Sequence, residues 1–129
     1  MDIKKFILTW GMLISTVLLN SFSALVLKHQ INKIGNVPFD SFSSFSNYFL
    51  SLLKSPLAVM AFIAMFLSAF VWMATLSRME ISTAYPVNVG LNFLIVIVAG
   101  FMLFNETISV FKIIGIVLIF VSIILLSLK

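Results

Sequence analysis

Two stripes of polar side chains interrupt the long apolar runs of this chain, and these residues could bind a polar ligand. Within each stripe, spacings of three, four or seven residues place the side chains on one face of a helix. The first stripe consists of Thr9, Thr16, Asn20 and Ser23. The second consists of Ser82, Tyr85, Asn88 and Asn92. Amides and hydroxyls of this kind can hydrogen-bond a polar ligand without a counter-charge.

The position of the stripes inside apolar runs leaves two interpretations open. Polar side chains in a bilayer face protein or water, because their exposure to hydrocarbon is costly. The stripes can therefore line one shared cavity, or they can hold helices together through hydrogen bonds. For a single asparagine the second interpretation is at least as strong, whereas for both stripes together we favour the cavity. The predicted substrate-binding residues are Thr16, Asn20, Ser23, Tyr85, Asn88 and Asn92.

Lys28 and Arg78 follow the first two apolar runs and are predicted to lie on opposite faces of the membrane. As snorkelling side chains they would only anchor their helices. As functional cations they would capture an anionic headgroup such as a phosphate. Both interpretations are open from the sequence.

Four small or ring-constrained residues predict bending and close packing. Pro86 removes one backbone hydrogen bond and Gly90 loosens the next turn, so we predict a hinge beside the second stripe. Pro86 would be harmless if it lay in the first helical turn. Gly115 and Ser122 are seven residues apart and form a small-residue face, which we predict to be a dimer contact.

The composition argues against an enzyme and against nucleic-acid binding. The chain has no cysteine and one histidine, so no catalytic residue, metal site or cofactor is predicted. The net charge is +4, but the charges are scattered singly, which is not typical of a nucleic-acid surface. Hydrophobic residues make up 62% of the chain and charged residues 9%, so we predict an integral membrane protein surrounded by lipid.

The stripes must therefore lie on helices that cross a bilayer. A hydrocarbon core of about 30 Å needs about 20 apolar residues in a helix, and unbroken runs of that length favour helices over a barrel. The sequence predicts an all-α integral membrane fold, with one four-helix transmembrane domain over residues 1–129. The predicted spans are residues 6–27, 56–77, 82–104 and 107–128. Ser55 is the predicted N-cap of the second span, with Pro56 at its first position.

The connection between the first two spans has an amphipathic pattern over residues 39–53. Its apolar face comprises Phe39, Phe42, Phe45, Phe49, Leu52 and Leu53, while serines and Asn47 fall largely on the opposite face. We predict a helix that lies in the membrane interface. The alternative is that this segment is an early extension of the second span.

The charged residues do not determine an orientation. Four spans put both termini on one side of the membrane, and Lys and Arg then number four on each side. One side has Lys4, Lys5, Arg78 and Lys129, and the other has Lys28, Lys33, Lys54 and Lys112. The positive-inside rule therefore leaves both a dual topology and a single orientation open.

Three segments of the chain resemble a known family of transporters. They read LLNSFSALVLK in the first span, LSRMEISTAYPVNVGLN over residues 76–92, and FNETIS followed by KIIGIVLIFVSIILLSLK at the end. They resemble the four-helix small multidrug resistance branch of the drug/metabolite transporter superfamily, and the resemblance covers essentially the whole chain. The Ala84–Pro86 segment with Asn92 is closer to one subgroup, the small flippase subunits for aminoarabinose linked to undecaprenyl phosphate.

The resemblance implies a transporter, and two departures from the family pattern argue against drug export. Drug exporters of this branch have a proton-exchanging glutamate where this chain has Asn20, and usually a tryptophan where it has Asn88. We therefore expect a bacterial inner-membrane subunit that moves a polyprenyl-phosphate-linked sugar, or a similar amphiphile, between leaflets. The alternatives are an exporter of small or cationic molecules that works with a partner subunit, and a non-transporting accessory protein of a lipid glycosylation system. The family implies an antiparallel homodimer or a heterodimer with a paralogous small subunit.

Overall fold

The computed structural model describes residues 2–128, apart from the side chain of Ser127. Five α-helices occupy most of this range, and no strand occurs within it. They are α1 (Ile3–Ile34), α2 (Phe42–Leu53), α3 (Pro56–Leu76), α4 (Ile81–Phe104) and α5 (Val110–Ser127). The predicted all-α class is confirmed, with four apolar helices and one short helix in the predicted order.

The first helix is longer than the span that the sequence predicted. α1 ends at Ile34 rather than at residue 27, because the first helix-breaking residue is Gly35, which has φ 109°. The 32 residues of α1 cover about 48 Å at 1.5 Å per residue, more than the thickness of a bilayer core. The helix α1 is therefore longer than the hydrocarbon core is thick, and Lys28 in its C-terminal part is exposed.

The short helix α2 is separate from α3. Lys54 and Ser55 interrupt the helical path, and Ser55 has an extended backbone, as expected for a residue that precedes a proline. Ser55 is the N-cap of α3 as predicted, although its side chain makes no capping hydrogen bond. α2 starts at Phe42 instead of residue 39, since Ser41 caps it by accepting a hydrogen bond from the Ser44 N–H at 3.2 Å.

Three of the helices, α1, α3 and α4, are long and apolar enough to cross a membrane. The fourth predicted span, α5, is apolar but has 18 residues, or about 27 Å. It starts at Val110 rather than at residue 107 because Ser109, not an earlier residue, provides the N-cap. The preceding helix α4 ends at Phe104, because its C-cap Asn105 has a left-handed backbone (φ 51°) that stops the helical path.

The helix α1 lies at the centre of the packing. It packs against α3 and α4, while α2 packs on α3 and α5 packs on α4. The face that α3 buries consists of small residues, which let two helix backbones approach closely. These are Ala58, Ala61, Ala64, Ser68 and Thr75. Leu13 and Val17 of α1 form the apolar core with Ala84 and Val87 of α4.

Candidate functional site

The predicted site residue Asn20 faces α3. The Ser68 hydroxyl lies 2.7 Å from the Asn20 Oδ1 and can donate a hydrogen bond to it. The same hydroxyl lies 2.7 Å from the Met65 carbonyl, so its single hydrogen has two acceptors. Asn20 therefore takes part in the α1–α3 interface, where Ser68 is buried.

The predicted site residue Asn92 faces a different neighbour. Its Oδ1 accepts a hydrogen bond from the Ser21 hydroxyl of α1 at 2.7 Å. Ser21 is buried, so this bond lies inside the α1–α4 interface. Asn20 and Asn92 thus point into two separate interhelix contacts, which is the arrangement expected if these amides hold helices together.

Thr16 and Ser23 of the first stripe are also buried in helix contacts. The Ser23 hydroxyl lies 2.9 Å from the Ala61 carbonyl of α3 and 2.8 Å from the Leu19 carbonyl of its own helix. The Thr16 hydroxyl donates to the Met12 carbonyl at 3.1 Å. These positions are structural in the isolated protomer, and the predicted contact of Thr16 and Ser23 with a substrate stays a prediction.

Asn88 differs from the other two asparagines. Its side chain is 9% exposed, and its Oδ1 is a fully buried atom with no hydrogen-bond partner among the described residues. A buried acceptor left unpaired is unfavourable by about 1–3 kcal/mol. The predicted stripe of α4 therefore has one bonded amide oxygen, at Asn92, and one unbonded buried amide oxygen, at Asn88.

Tyr85 lies on the outer part of the seam between α3 and α4. Its side chain is 58% exposed, and its ring centroid is 6.3 Å from that of Trp72 on α3, with the rings tilted by 59°. α3 and α4 both pack on α1 but touch each other only slightly. The sequence analysis did not select Trp72, because a single tryptophan in an apolar span carries no periodic signal.

The predicted hinge residue Gly90 lies where α5 packs on α4. A Cβ atom at this position would be 2.8 Å from the Ile123 Cδ1 and 3.1 Å from the Ile119 Cγ2. The missing side chain therefore permits close helix packing. Pro86 is inside α4 rather than in its first turn, yet the helix continues from Ile81 to Phe104. Bending at these two residues stays a prediction.

The predicted dimer-contact residues have different surroundings in the protomer. Ser122 borders a groove between α4 and α5 together with Tyr85 and Phe93, and its hydroxyl donates to the Leu118 carbonyl at 2.8 Å. Gly115 has open space around the position of a Cβ atom. None of the described side chains of α5 is buried, so this helix has a wide apolar surface for lipid or another subunit.

The two predicted phosphate-binding cations are exposed. Lys28 lies within α1, and Arg78 lies in the turn between α3 and α4. The contacts of Ser23 with Ala61 and of Asn20 with Ser68 show that α1 and α3 run antiparallel. Lys28 and Arg78 are therefore at opposite ends of the helix bundle, and their contact with a phosphate at the two membrane surfaces stays a prediction.

Long apolar helices that bury several of their polar side chains define a multi-pass membrane protein. Residues 5–128 match the model of the EamA-like transporter family, and the chain belongs to that family. It is a membrane transporter subunit of the bacterial inner membrane, which confirms the predicted class, family and location.

Two curated relatives carry the same name, "Probable 4-amino-4-deoxy-L-arabinose-phosphoundecaprenol flippase subunit ArnE". The protein from Pseudomonas savastanoi pv. phaseolicola is 29% identical over 116 residues, which cover 90% of this chain and 94% of the relative. The protein from Pseudomonas aeruginosa (strain UCBPP-PA14) is 33% identical over 75 residues, which cover 58% of this chain and 64% of the relative. No solved structure matches the chain significantly.

Proposed function

We propose that this chain is a flippase subunit that moves a polyprenyl-phosphate-linked sugar, or a similar amphiphile, between the leaflets of the inner membrane. The similarity to two proteins named as aminoarabinose-phosphoundecaprenol flippase subunits supports this substrate class. The observation that carries the proposal is the uncharged Asn20, hydrogen-bonded to Ser68 at the place where a proton-coupled exporter needs a carboxylate.

The charge distribution supports a neutral polar headgroup path with phosphate contacts at its ends. Residues 6–27, 56–77 and 82–104 contain no Asp, Glu, Lys or Arg. A fixed cation or anion in the hydrocarbon would bind an oppositely charged headgroup but would also be costly to bury. In our proposal Tyr85, Asn88 and Asn92 line the path of the sugar. Lys28 and Arg78 bind its phosphate at the two membrane surfaces.

We also propose that the working unit contains two subunits, either two copies of this chain or this chain with a paralogous small subunit. The relatives' names describe a subunit, and α5 leaves a wide apolar surface on the protomer. Asn20, Ser21 and Ser23 of α1 are occupied by bonds to α3 and α4. A path for a headgroup therefore needs surfaces of a second subunit, with Gly115 and Ser122 at the contact.

The decisive experiment measures lipid translocation in vesicles. The purified chain, alone or with a candidate small partner subunit, is reconstituted with a short-chain polyprenyl-phosphate sugar in one leaflet. We expect the sugar to become accessible to a membrane-impermeant reagent on the other side without an imposed proton gradient. Uptake of a quaternary ammonium dye that requires a proton gradient, with no lipid translocation, would instead support the exporter.

A further inference from the structure

The buried Oδ1 of Asn88 is the unexplained feature of the helix interfaces. It is the only fully buried side-chain oxygen or nitrogen without a hydrogen-bond partner in the described part of the chain. Asn20 and Asn92 have the same side chain, and both have serine donors on a neighbouring helix. Helix cohesion therefore accounts for two of the three amides and leaves Asn88 without a role.

The neighbourhood of Asn88 favours a ligand with a sugar-like face. Tyr85 precedes Asn88 by one helical turn, and its ring is paired with that of Trp72 across the α3–α4 seam. Aromatic rings pack against the apolar face of a flat or ring-shaped polar group and attract cations. Residues three apart on a helix are neighbours on its surface, so a headgroup packed against the aromatic pair would lie about one helical turn from the unpaired oxygen of Asn88.

We infer that Asn88 determines which headgroup the protein accepts, by receiving a hydrogen bond from a hydroxyl or ammonium group, while Trp72 and Tyr85 pack against the sugar ring. This inference rests on the proposed function and specifies the chemistry of its substrate. The headgroup must carry a hydrogen-bond donor, so a polyprenyl phosphate with its donors blocked binds poorly. Trp72 is a new member of the site.

The first test compares three asparagine substitutions by thermal unfolding in detergent. An unpaired buried polar group can be replaced by an apolar group of similar shape at no cost, whereas loss of one partner of a bonded pair is destabilising. We expect Asn88→Leu to leave the unfolding temperature unchanged or higher, and Asn92→Leu and Asn20→Leu to lower it. If Asn88→Leu lowered the unfolding temperature as much as Asn92→Leu does, the inference would be overturned, because Asn88 would then have a structural partner.

The second test measures binding through tryptophan fluorescence. The Trp10→Phe variant keeps Trp72 as the single emitting tryptophan. It is titrated in nanodiscs with a short-chain polyprenyl-phosphate hexose and with the same lipid after methylation of every sugar hydroxyl. We expect the unmodified lipid to bind about fivefold to tenfold more tightly, as the loss of one hydrogen bond implies. Asn88→Leu in the same background should remove this preference.

The outcomes separate this inference from the proposed function. If the preference persists in Asn88→Leu, or if neither lipid binds the parent protein, the inference is wrong even where lipid translocation is observed. If the preference depends on Asn88 but no lipid crosses the bilayer in the vesicle assay, the binding site stands and the flippase proposal fails. Ser15→Ala is the control, because the exposed Ser15 hydroxyl bonds only to the Gly11 carbonyl of its own helix, and it should keep the preference.

Discussion

The Ser68 hydroxyl of α3 lies 2.7 Å from the Oδ1 of Asn20 on α1, so the amide near the middle of α1 is a hydrogen-bond acceptor in a helix interface. This residue stands where proton-coupled relatives of the resembled branch have a glutamate. The position therefore has a structural role in this chain, and an amide does not exchange protons near neutral pH.

The Asn20–Ser68 bond should contribute measurably to stability. Hydrogen bonds between membrane helices contribute about 0.6 kcal/mol on average and up to about 1.7 kcal/mol. We expect Asn20→Ala and Ser68→Ala each to destabilise the protein. In a double-mutant cycle the pair should show a coupling energy of about this size. Ser15→Ala is the control, because the exposed Ser15 hydroxyl bonds only to the Gly11 carbonyl of its own helix. If the destabilising effects of Asn20→Ala and Ser68→Ala were additive in the double variant, the predicted hydrogen bond between the two side chains would be contradicted.

Transport by a complex of two copies of this chain should not be coupled to protons. The spans over residues 6–27, 56–77 and 82–104 contain no carboxylate, and Asn20 stays neutral. A pH-sensitive dye inside proteoliposomes should therefore detect no stoichiometric proton release during substrate movement. Asn20→Glu is the positive control, since it introduces a titratable group at that position and should make transport dependent on pH. Proton counter-transport by the unmodified protein would refute our interpretation of Asn20.

Gly90 should act through packing against Ile123. We expect Gly90→Leu to destabilise the α4–α5 contact by about 1–3 kcal/mol, as overpacking typically does. Ile123→Ala should partly restore the stability of Gly90→Leu, because it removes the atoms that a side chain at position 90 would meet. Chemical denaturation of the single and double variants measures this. If Gly90 acted only as a hinge, Ile123→Ala would not restore the stability of Gly90→Leu, and Gly90→Leu would change only the transport rate.

Gly115 should matter for assembly and not for the fold of the protomer. A Cβ atom there meets nothing within 4 Å, so a larger side chain fits the protomer. We expect Gly115→Leu to reduce the dimer fraction in cross-linking of native membranes while it leaves the helical content unchanged. Gly11→Leu is a matched control on α1, where a Cβ atom also has open space. If Gly115→Leu and Gly11→Leu reduced the dimer fraction equally, Gly115 would not be part of the dimer contact.

Lys28 and Arg78 should discriminate between phosphate-bearing and neutral lipids. Hydrogen bonds to charged groups are worth about 1.5–3 kcal/mol, roughly twice the value for neutral ones. We therefore expect Lys28→Ala and Arg78→Ala to weaken binding of a polyprenyl-phosphate sugar by about tenfold or more and to change binding of a neutral glycolipid little. The exposed Lys33 provides a control on the same side as Lys28. Equal losses for both lipids would mean that the two cations only anchor the helices.

The order and approximate bounds of the helices could be predicted from the sequence, because they depend on local properties. Each sequence signal depends on a single segment of the chain in lipid or at its surface. These signals are the apolar runs of about 20 residues, the Ser55–Pro56 start of α3 and the spacing of the phenylalanines in α2. The errors occurred at helix ends. α1 continued to Gly35 and α5 started late, because nearby capping residues decide where a helix stops.

The roles of the polar residues were decided only by the tertiary structure. Asn20, Asn88 and Asn92 are the same residue type in similar apolar surroundings, so no local pattern distinguishes them. Their hydrogen-bond partners distinguish them. Asn20 is bonded to Ser68, which is 48 residues away, and Asn92 is bonded to Ser21, which is 71 residues away. The Oδ1 of Asn88 has no donor in the described chain. The same holds for Gly90, whose small size matters because Ile123 of another helix packs against it. Whether a buried amide is bonded or free depends on which side chain a distant helix brings within about 3 Å, and helical periodicity contains no information about that distance.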